Sequence, residues 1–293
     1  MNDLLAVLEQ YGLKAVRFEF LGDTENTNQL VTTSSSERYL LRQHRAASRS
    51  LAMLESEMIW LNHLHQSGLE VQRPVSLLAE NFICSSDLER FSLLSWIDGE
   101  VLESINQTQA EAVGVLMARF HSVARDFTPP AGFERLLYDS QYLEDTLSEL
   151  RAIDWLQPDM ALFEQSMARA KQAFDEPNIP WCLIHADLHP GNMVWQGVKV
   201  AMIDFDRCGF GPVSYDIATT FGYLETETRD AFLRGYEMVL PLPEGFPEKR
   251  KLFTIAEWLT NLAFLAARAE DREYVVTIML PGLREQLPKI LES

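Results

Sequence analysis

A hairpin pattern in the second half of the chain constrains the fold more strongly than any other feature. Residues 198–203 form an apolar run typical of a buried strand, and Met193–Trp195, which a Gln-Gly turn follows, form the expected partner strand. Antiparallel pairing of these strands would bring Asn192 and Asp204 to the same end of the hairpin. The sequence therefore predicts that an amide and a carboxylate meet at one end of a small buried ribbon.

The loop that precedes this hairpin carries further polar groups at fixed spacing. Residues 184–192 read Ile-His-Ala-Asp-Leu-His-Pro-Gly-Asn and place Asp187 five residues before Asn192. Asp187 can orient an attacking hydroxyl or accept its proton, while Asn192 and Asp204 offer the hard oxygen ligands that suit Mg²⁺. Because phosphoryl transfer needs positioned reactants and a held metal more than covalent chemistry, this pattern is typical of metal-assisted phosphoryl transfer.

Two other interpretations of these residues stay open. Asp and Asn beside Pro-Gly commonly form only a turn, and His185 can be a buried structural histidine. Alternatively, His185 and His189 bind zinc, although the nearest thiols, Cys182 and Cys208, are not arranged as Cys-x-x-Cys. The hairpin that follows the loop favours the catalytic interpretation over both.

The composition predicts a globular protein of one large or two modest domains, with 293 residues of which 47% are hydrophobic. Three unpatterned cysteines fit a reducing compartment. Because the N-terminus lacks the features of a signal peptide and no apolar run approaches the roughly 20 residues of a membrane helix, we expect a cytoplasmic protein without a membrane partner. The net charge of −18 repels nucleic acid and serves either solubility or the attraction of a cationic substrate.

Hydrophobic periodicity divides the chain into a strand-rich first third and a helical remainder. The expected elements of the first third are a helix over residues 1–12, strands over 16–20, 29–33 and 38–42, a helix over 50–66, a strand beginning at Pro74 and a strand over 91–97. Helices are expected over 107–122, within 141–175, over about 226–240 and 248–270, and after Pro281.

At His185, Asp187, Asn192 and Asp204 the chain resembles the aminoglycoside phosphotransferase and choline kinase family, the small-molecule branch of the kinase-like enzymes. Where protein kinases have Asp-Phe-Gly, this chain has Asp-Phe-Asp, as is usual in that branch. The resemblance implies an α+β, bilobal protein-kinase-like fold. Its N-terminal lobe would be a small antiparallel sheet with one helix, and its C-terminal lobe would be mainly helical and carry the catalytic hairpin.

The resemblance also implies a division of the chain into two lobes. Residues 1–96 would form the nucleotide-binding lobe, and 97–293 the catalytic and substrate-binding lobe. In kinase-like folds the adenine bonds to the backbone of the linker between lobes. Ser95, Trp96 and Ile97 are therefore the expected adenine-binding residues.

Three residues outside the motif receive supporting roles from the resemblance. Arg42, at the end of the third strand, corresponds to the lysine that holds the nucleotide phosphates, with an exposed arginine at a strand end as the alternative. Glu57 is its expected helix partner, with Glu55 as the alternative. Asp216 would anchor the catalytic loop through its backbone or cap a helix.

The implied activity is transfer of the γ-phosphoryl group of ATP, with Mg²⁺, to a hydroxyl of a small molecule. Amino alcohols, homoserine-like compounds and aminoglycosides are the implied acceptor classes, and a cationic acceptor would suit the acidic chain. Two alternatives remain: a bacterial serine/threonine protein kinase of the same branch, and a pseudokinase or nucleotide-binding regulator, which Arg42 and the glycine-poor loop at 22–28 would favour. Association as a homodimer is compatible with the resemblance.

Overall fold

The chain divides into two units, each assembled from separate segments. Met1–Ser104, Asp126–Arg135 and Pro190–Asp206 form the first unit, and Ile105–Arg125, Leu136–His189 and Arg207–Ser293 form the second. The computed structural model describes residues 2–23, 26–45, 49–79, 81–86 and 89–292, so residues 24 and 25 of the glycine-poor loop lie outside it. The lobe boundary expected at residue 96 falls inside the first unit, and the hairpin of residues 193–203 also belongs to that unit.

Two sheets and two helices make up most of the first unit. Its elements are α1 (Asn2–Gln10), β1 (Ala15–Asp23), β2 (Asn26–Thr33), β3 (Arg38–His44), α2 (Leu51–Gln66), β4 (Cys84–Ser86), β5 (Glu89–Ser95), β6 (Glu100–Val101), β9 (Met193–Trp195) and β10 (Val200–Met202). The larger sheet is antiparallel and runs β1-β2-β3-β5-β4, and the smaller runs β10-β9-β6. The expected three-stranded meander and the expected hairpin are both present.

One face of the larger sheet packs against α1. Leu8 of the helix and Leu41 of β3 belong to the same buried apolar cluster. Because successive strand residues point to opposite faces, Arg42 leaves this cluster and points to the other face of the sheet. Helix α2 begins at Ser50, whose Oγ accepts a hydrogen bond from the Met53 N–H at 3.0 Å and so satisfies one free donor of the first turn.

Two strands differ from the sequence prediction: one is absent, and the other is shorter than predicted. The strand expected to begin at Pro74 is only an isolated bridge to Leu94, because proline has no N–H to donate to a ladder. The strand expected over 91–97 ends at Ser95, so Trp96 and Ile97 lie beyond the sheet. Hydrophobic periodicity predicts which residues of a strand are buried, but it does not predict where the chain leaves a sheet.

The second unit is mainly helical, as expected. Its elements are α3 (Gln107–Asp126), β7 (Leu136–Leu137), α4 (Ser140–Arg151), α5 (Met160–Phe174), β8 (Trp181–Ile184), β11 (Gly209–Pro212), α6 (Val213–Gly222), α7 (Thr226–Glu237), α8 (Phe246–Ala266), α9 (Arg272–Tyr274) and α10 (Leu280–Leu291). The three strands form a short sheet in the order β7-β11-β8, and the loop that carries Asp187 follows β8. Helix α8 packs against α4, α5 and α6, and a π-helical turn, Val275–Met279, precedes α10.

Helices α3 and α7 cross so closely that glycine is required at two positions. A Cβ on Gly114 would lie 2.0 Å from Phe232 O, and one on Gly235 would lie 2.0 Å from Glu111 O. We expect Gly114→Ala to destabilise the fold by about 2 kcal/mol or more, because backbone cannot yield as a side chain can. Thermal unfolding measures the effect, with Gly282→Ala, where a Cβ meets nothing within 4 Å, as the control. Equal melting temperatures for both variants would contradict the close crossing.

Three further observations bear on the expected class of protein. Helices within the described ranges include none that is both long and apolar enough to cross a membrane. Cys84, Cys182 and Cys208 are buried, and no disulfide joins them. The antiparallel sheet followed by a mainly helical unit is the α+β architecture expected from the sequence.

Candidate active site

Arg42 lies in a buried charge cluster of the first unit. Its Nη1 donates to Glu57 Oε1 at 3.2 Å and to Asp206 Oδ1 at 2.8 Å. Only 4% of its side chain is exposed, which rules out the interpretation of Arg42 as an exposed arginine. Glu55, the alternative partner, instead accepts hydrogen bonds from the backbone N–H groups of residues 82 and 83. The structure therefore brings Arg42 together with Glu57.

The electrostatics of this cluster differ between its two buried carboxyl groups. Burial and the neighbouring Asp206 carboxylate raise the pKa of Glu57, against the opposing charges of Arg135 and Arg42. Burial also disfavours ionised Asp206, but Arg42 and the cations around it hold the pKa of Asp206 below its ordinary value. Asn26 Nδ2 donates to Asp206 Oδ2, so both Asp206 oxygens already accept hydrogen bonds. These contacts favour a structural role for Asp206.

The hairpin places Asn192 and Asp204 at the same end, as the sequence indicated. Strands β9 and β10 pair with Met193 opposite Met202. The Ile203 N–H then donates to Asn192 O at 3.1 Å, one residue before Asp204. Asn192 therefore lies one residue before the last pair of the ladder, and Asp204 lies two residues after it.

Asp204 has the environment of a metal ligand. Its φ of 63° is left-handed, which costs a residue with a Cβ on the order of 1 kcal/mol. Its Oδ1 is buried and accepts no hydrogen bond from the described residues, and Arg42 Nη2 lies 3.6 Å away. Within the described ranges no three His, Cys, Asp or Glu side chains converge to hold a metal. An ion bound here would therefore rely on Asp204, the Asn192 amide and oxygens of phosphate or water, which fits Mg²⁺.

Arg135 is a residue of this cluster that the sequence pattern missed. Its side chain is fully buried, and its Nη2 donates to Phe205 O at 2.6 Å and to Asp206 O at 3.0 Å. Its Nη1 also donates to Glu57 Oε2 at 3.3 Å. Arg135 belongs to no motif, and no periodicity marks it, because its partners are 70 or more positions away in sequence.

The expected adenine-binding residues lie at the end of β5 and directly after it. The Ser95 N–H donates to Arg73 O at 2.8 Å, and the Trp96 N–H donates to Arg38 O at 3.1 Å. A base could use these two N–H groups only by displacing contacts within the unit. Adenine recognition through Ser95, Trp96 and Ile97 stays a prediction.

Asp216 anchors the loop that carries Asp187 in the second unit. Its Oδ2 accepts from the His185 N–H at 2.9 Å, and its Oδ1 accepts from the Ala186 N–H at 2.7 Å. His121 Nε2 lies 3.0 Å from the same Oδ2. Burial opposes ionisation, but these hydrogen bonds hold the pKa of Asp216 below its ordinary value. Since Ala186 has a left-handed φ of 61°, Asp216 fixes a strained residue directly before Asp187.

A cavity of about 570 Å³ within the second unit includes Asp187 in its wall. Its charged lining is formed by Asp187, Arg207 and Glu257, and Trp258 and Tyr274 contribute aromatic surface. Cavities that bind small molecules commonly enclose about 300–1,000 Å³, with a few polar groups set in apolar walls. The position and lining of this cavity suit a small organic acceptor.

Glu257 is the buried carboxyl group of this cavity. Burial raises the pKa of Glu257 to about 7, with Arg207 opposing the shift and Asp187 adding to it. Asn261 Nδ2 donates to Glu257 Oε1, and Arg207 Nη1 lies 3.8 Å from Asp187 Oδ1. Arg207 therefore forms an ion pair with Asp187, and its charge also acts on Glu257. The sequence indicated none of this, because α8 shows only an ordinary amphipathic pattern.

Comparison with known proteins identifies relatives over most of the chain. The family model described as "Phosphotransferase enzyme family" matches residues 18–248. The homoserine kinase of Methylobacillus glycogenes is 26% identical over 285 residues, which cover 89% of this chain and 87% of that protein.

Two solved structures are similar over nearly the whole chain. An amicoumacin kinase in complex with AMP-PNP, Ca²⁺ and Ami has a TM-score of 0.82 at 19% identity, covering 98% of this chain and 93% of that one. A microcompartment-associated aminopropanol kinase has a TM-score of 0.80 at 24% identity, covering 95% and 94%. These likenesses confirm the expected α+β protein-kinase-like fold.

Proposed function

Because this chain belongs to the phosphotransferase enzyme family, we propose that it transfers the γ-phosphoryl group of ATP to a hydroxyl of a small molecule. The observation that carries the proposal is the hairpin end in the first unit. There Asp204, with an Oδ1 that accepts no hydrogen bond from the described residues, lies 3.6 Å from the buried Arg42. A metal ligand beside a fixed guanidinium is the arrangement that phosphate oxygens require.

The first unit would bind the metal and the nucleotide. Asn192 and Asp204 would hold Mg²⁺, which when bound neutralises charge on the phosphates. Arg42, fixed by Glu57, would bind phosphate oxygens, and Ser95, Trp96 and Ile97 would contact adenine. We keep the proposal that residues 1–96 are nucleotide-binding and 97–293 catalytic and substrate-binding, with the addition that Asn192 and Asp204, from the second of these segments, belong to the first unit.

The second unit would bind and activate the acceptor. In the reaction, the acceptor oxygen bonds to the γ-phosphorus, the bond to the bridging oxygen of ADP breaks, and the hydroxyl proton passes to Asp187. Arg207, 3.8 Å from Asp187 Oδ1, would help to hold in place the carboxylate that accepts this proton. The strained turn at Ala186, held by Asp216, keeps Asp187 in place.

An acceptor screen coupled to ADP release tests this function. Purified protein with ATP and Mg²⁺ is offered amino alcohols, homoserine, aminoglycosides and neutral alcohols, and products are identified by mass spectrometry. Acceptor-dependent ADP release with a phosphorylated small molecule is the expected result. Nucleotide binding without transfer to any acceptor would contradict it.

The cavity lining further supports an acceptor that carries an ammonium group. Glu257 is a buried carboxyl group, and a cation placed against it would favour its ionised form by offsetting the cost of burying that charge. Trp258 and Tyr274 offer aromatic faces that attract cations. The homoserine and aminopropanol named for two relatives are also alcohols that carry an amino group. We therefore propose an amino-bearing alcohol, acted on in the cytoplasm, where ATP is available.

Glu257→Gln should raise KM for amino-bearing acceptors by about tenfold or more, because an ionic hydrogen bond becomes a neutral one.

In the wild type, KM for these acceptors should fall as pH rises from 6 to 8, since Glu257, with a pKa of about 7 beside Arg207 and Asp187, becomes ionised. Steady-state kinetics with an amino alcohol and its N-acetyl derivative measure both effects. Glu248→Gln, an exposed change on the same helix, is the control. Equal KM for both derivatives in the wild type would contradict ammonium recognition.

A further inference from the structure

Arg135 is a buried cation of the first unit that has no part in the proposed chemistry. The contacts of its two terminal nitrogens include Met53 O at 3.2 Å, Glu57 Oε2 at 3.3 Å, Phe205 O at 2.6 Å and Asp206 O at 3.0 Å. The planar guanidinium is suited to this, because it presents several donors in one rigid fork. Arg135 therefore ties helix α2 to the two peptide units that follow Asp204.

The contacts fall on the segment where the backbone is strained. Asp204 has a φ of 63°, and residues with a Cβ hold such a conformation only where their surroundings impose it. Before Asp204, the Ile203 N–H is bonded to Asn192 O. After Asp204, the carbonyls of Phe205 and Asp206 are held by Arg135. The strained residue is thus fixed from both sides, and Arg135 supplies the second restraint.

The Arg135 side chain is also linked to Arg42, because both arginines contact Glu57. Glu57 presents Oε1 to Arg42 and Oε2 to Arg135, so one buried carboxylate bridges two guanidinium groups. Through this bridge, the position of α2 and the position of Asp204 depend on the same arginine. Loss of its geometry would move the metal ligand without touching any atom of the nucleotide.

We propose that Arg135 is a positioning residue that holds Asp204 in the backbone conformation needed to bind the metal–nucleotide complex. The proposal rests on the proposed function only for the identity of the ligand. It assigns to Arg135 a contribution to metal-dependent binding that is separate from its contribution to folding.

Arg135→Lys is the decisive variant, because it keeps the charge but cannot reach Glu57 and both carbonyls with one ammonium group. Arg135→Gln is the second variant, which keeps one amide donor and loses the charge. Arg284→Lys is the matched control, since Arg284 also makes a paired contact to a buried carboxylate, Asp159, at 2.7 and 2.8 Å in the second unit. Circular dichroism and thermal unfolding establish that each variant is folded.

Calorimetric titration with AMP-PNP, with and without Mn²⁺, provides a readout that does not depend on activity. We expect Arg135→Lys to weaken metal-dependent binding by about tenfold or more, the usual effect of losing a group that orients a metal ligand. Binding of AMP-PNP without metal, and binding by Arg284→Lys, should match the wild type. In kinetics, the Mg²⁺ concentration for half-maximal activity should rise while KM for the acceptor stays constant.

Three outcomes would overturn the proposal. Wild-type metal-dependent affinity in Arg135→Lys would show that Arg135 does not position Asp204. An equal loss with and without metal would place its effect on nucleotide binding in general, and failure of both variants to fold would leave it a structural role only. If the wild type transfers no phosphoryl group but the calorimetric difference persists, the proposed function fails and the positioning role stands.

Discussion

Asp187→Asn is expected to lower kcat for phosphoryl transfer by about a thousandfold, within the range that loss of a positioned acid or base produces. Asparagine matches the size of aspartate but cannot accept the hydroxyl proton. The loop should keep its shape, because the contacts of Asp216 to the backbone at His185 and Ala186 do not involve the Asp187 side chain. Acceptor-dependent ADP release measures kcat, and calorimetry with metal and AMP-PNP should show unchanged nucleotide affinity.

The control for this prediction is Asp145→Asn, an exposed substitution in α4 that makes the same change in charge. Its kcat should equal that of the wild type. If Asp187→Asn keeps wild-type turnover, Asp187 is not the catalytic residue. If its nucleotide affinity falls together with kcat, the substitution has damaged more than the proton-accepting step.

Asp204→Asn is expected to lower kcat by about a hundredfold or more and also to weaken metal-dependent nucleotide binding. An anionic oxygen becomes a neutral one, and Mg²⁺ has few other protein ligands here. The change also removes a charge 3.6 Å from Arg42, which keeps its contacts to Glu57 and Asp206. Titration of AMP-PNP at increasing Mg²⁺ measures the loss of affinity.

The two substitutions should therefore be distinguishable by binding. Asp187→Asn affects turnover alone, whereas Asp204→Asn affects turnover and metal-dependent affinity. Asp126→Asn, exposed and in the same unit as Asp204, is the charge-matched control. Wild-type dependence on Mg²⁺ in Asp204→Asn would remove Asp204 from the metal site.

The two alternative functions predict different results in the same experiments. A serine/threonine protein kinase would share Asp187, Asn192 and Asp204 but would label polypeptides in a cell extract, whereas a small-molecule kinase would not. A pseudokinase would bind nucleotide without transfer. The buried, paired state of Arg42 weakens the argument that arginine at this position marks a failed nucleotide site. Oligomeric state stays a separate prediction, which light scattering would test.

Several features of the fold follow from local physics. The meander β1-β2-β3, helix α2 and the long helices α3 and α8 follow from periodicity, glycine and cap signals that operate within about 20 residues. The strand expected at Pro74 and the length of β5 were misjudged for the same reason, since a turn out of a sheet depends on neighbouring strands. The short strands β6, β7 and β11 gave no signal, because two to four residues carry no period.

The candidate site divides in the same way. Asp187, Asn192 and Asp204 lie within 18 residues of one another, so their spacing and the hairpin were readable directly. The pairing of Arg42 with Glu57 required a resemblance as well. The roles of Arg135 and Glu257 could not be predicted from the sequence, because their partners are distant in sequence and their importance comes from burial.

By itself, the sequence determined the class of chemistry: a carboxylate, an amide and a second carboxylate at the spacing that metal-assisted phosphoryl transfer needs, around a hairpin whose register local periodicity specifies. Only the tertiary structure decided how these groups are held and what surrounds them. It buried Arg42 between Glu57 and Asp206, placed Arg135 on the carbonyls after Asp204, and set Glu257 in the cavity wall beside Asp187 and Arg207. The physical reason is that charge and hydrogen bonding act through space in a low-dielectric interior, where sequence distance has no bearing on strength.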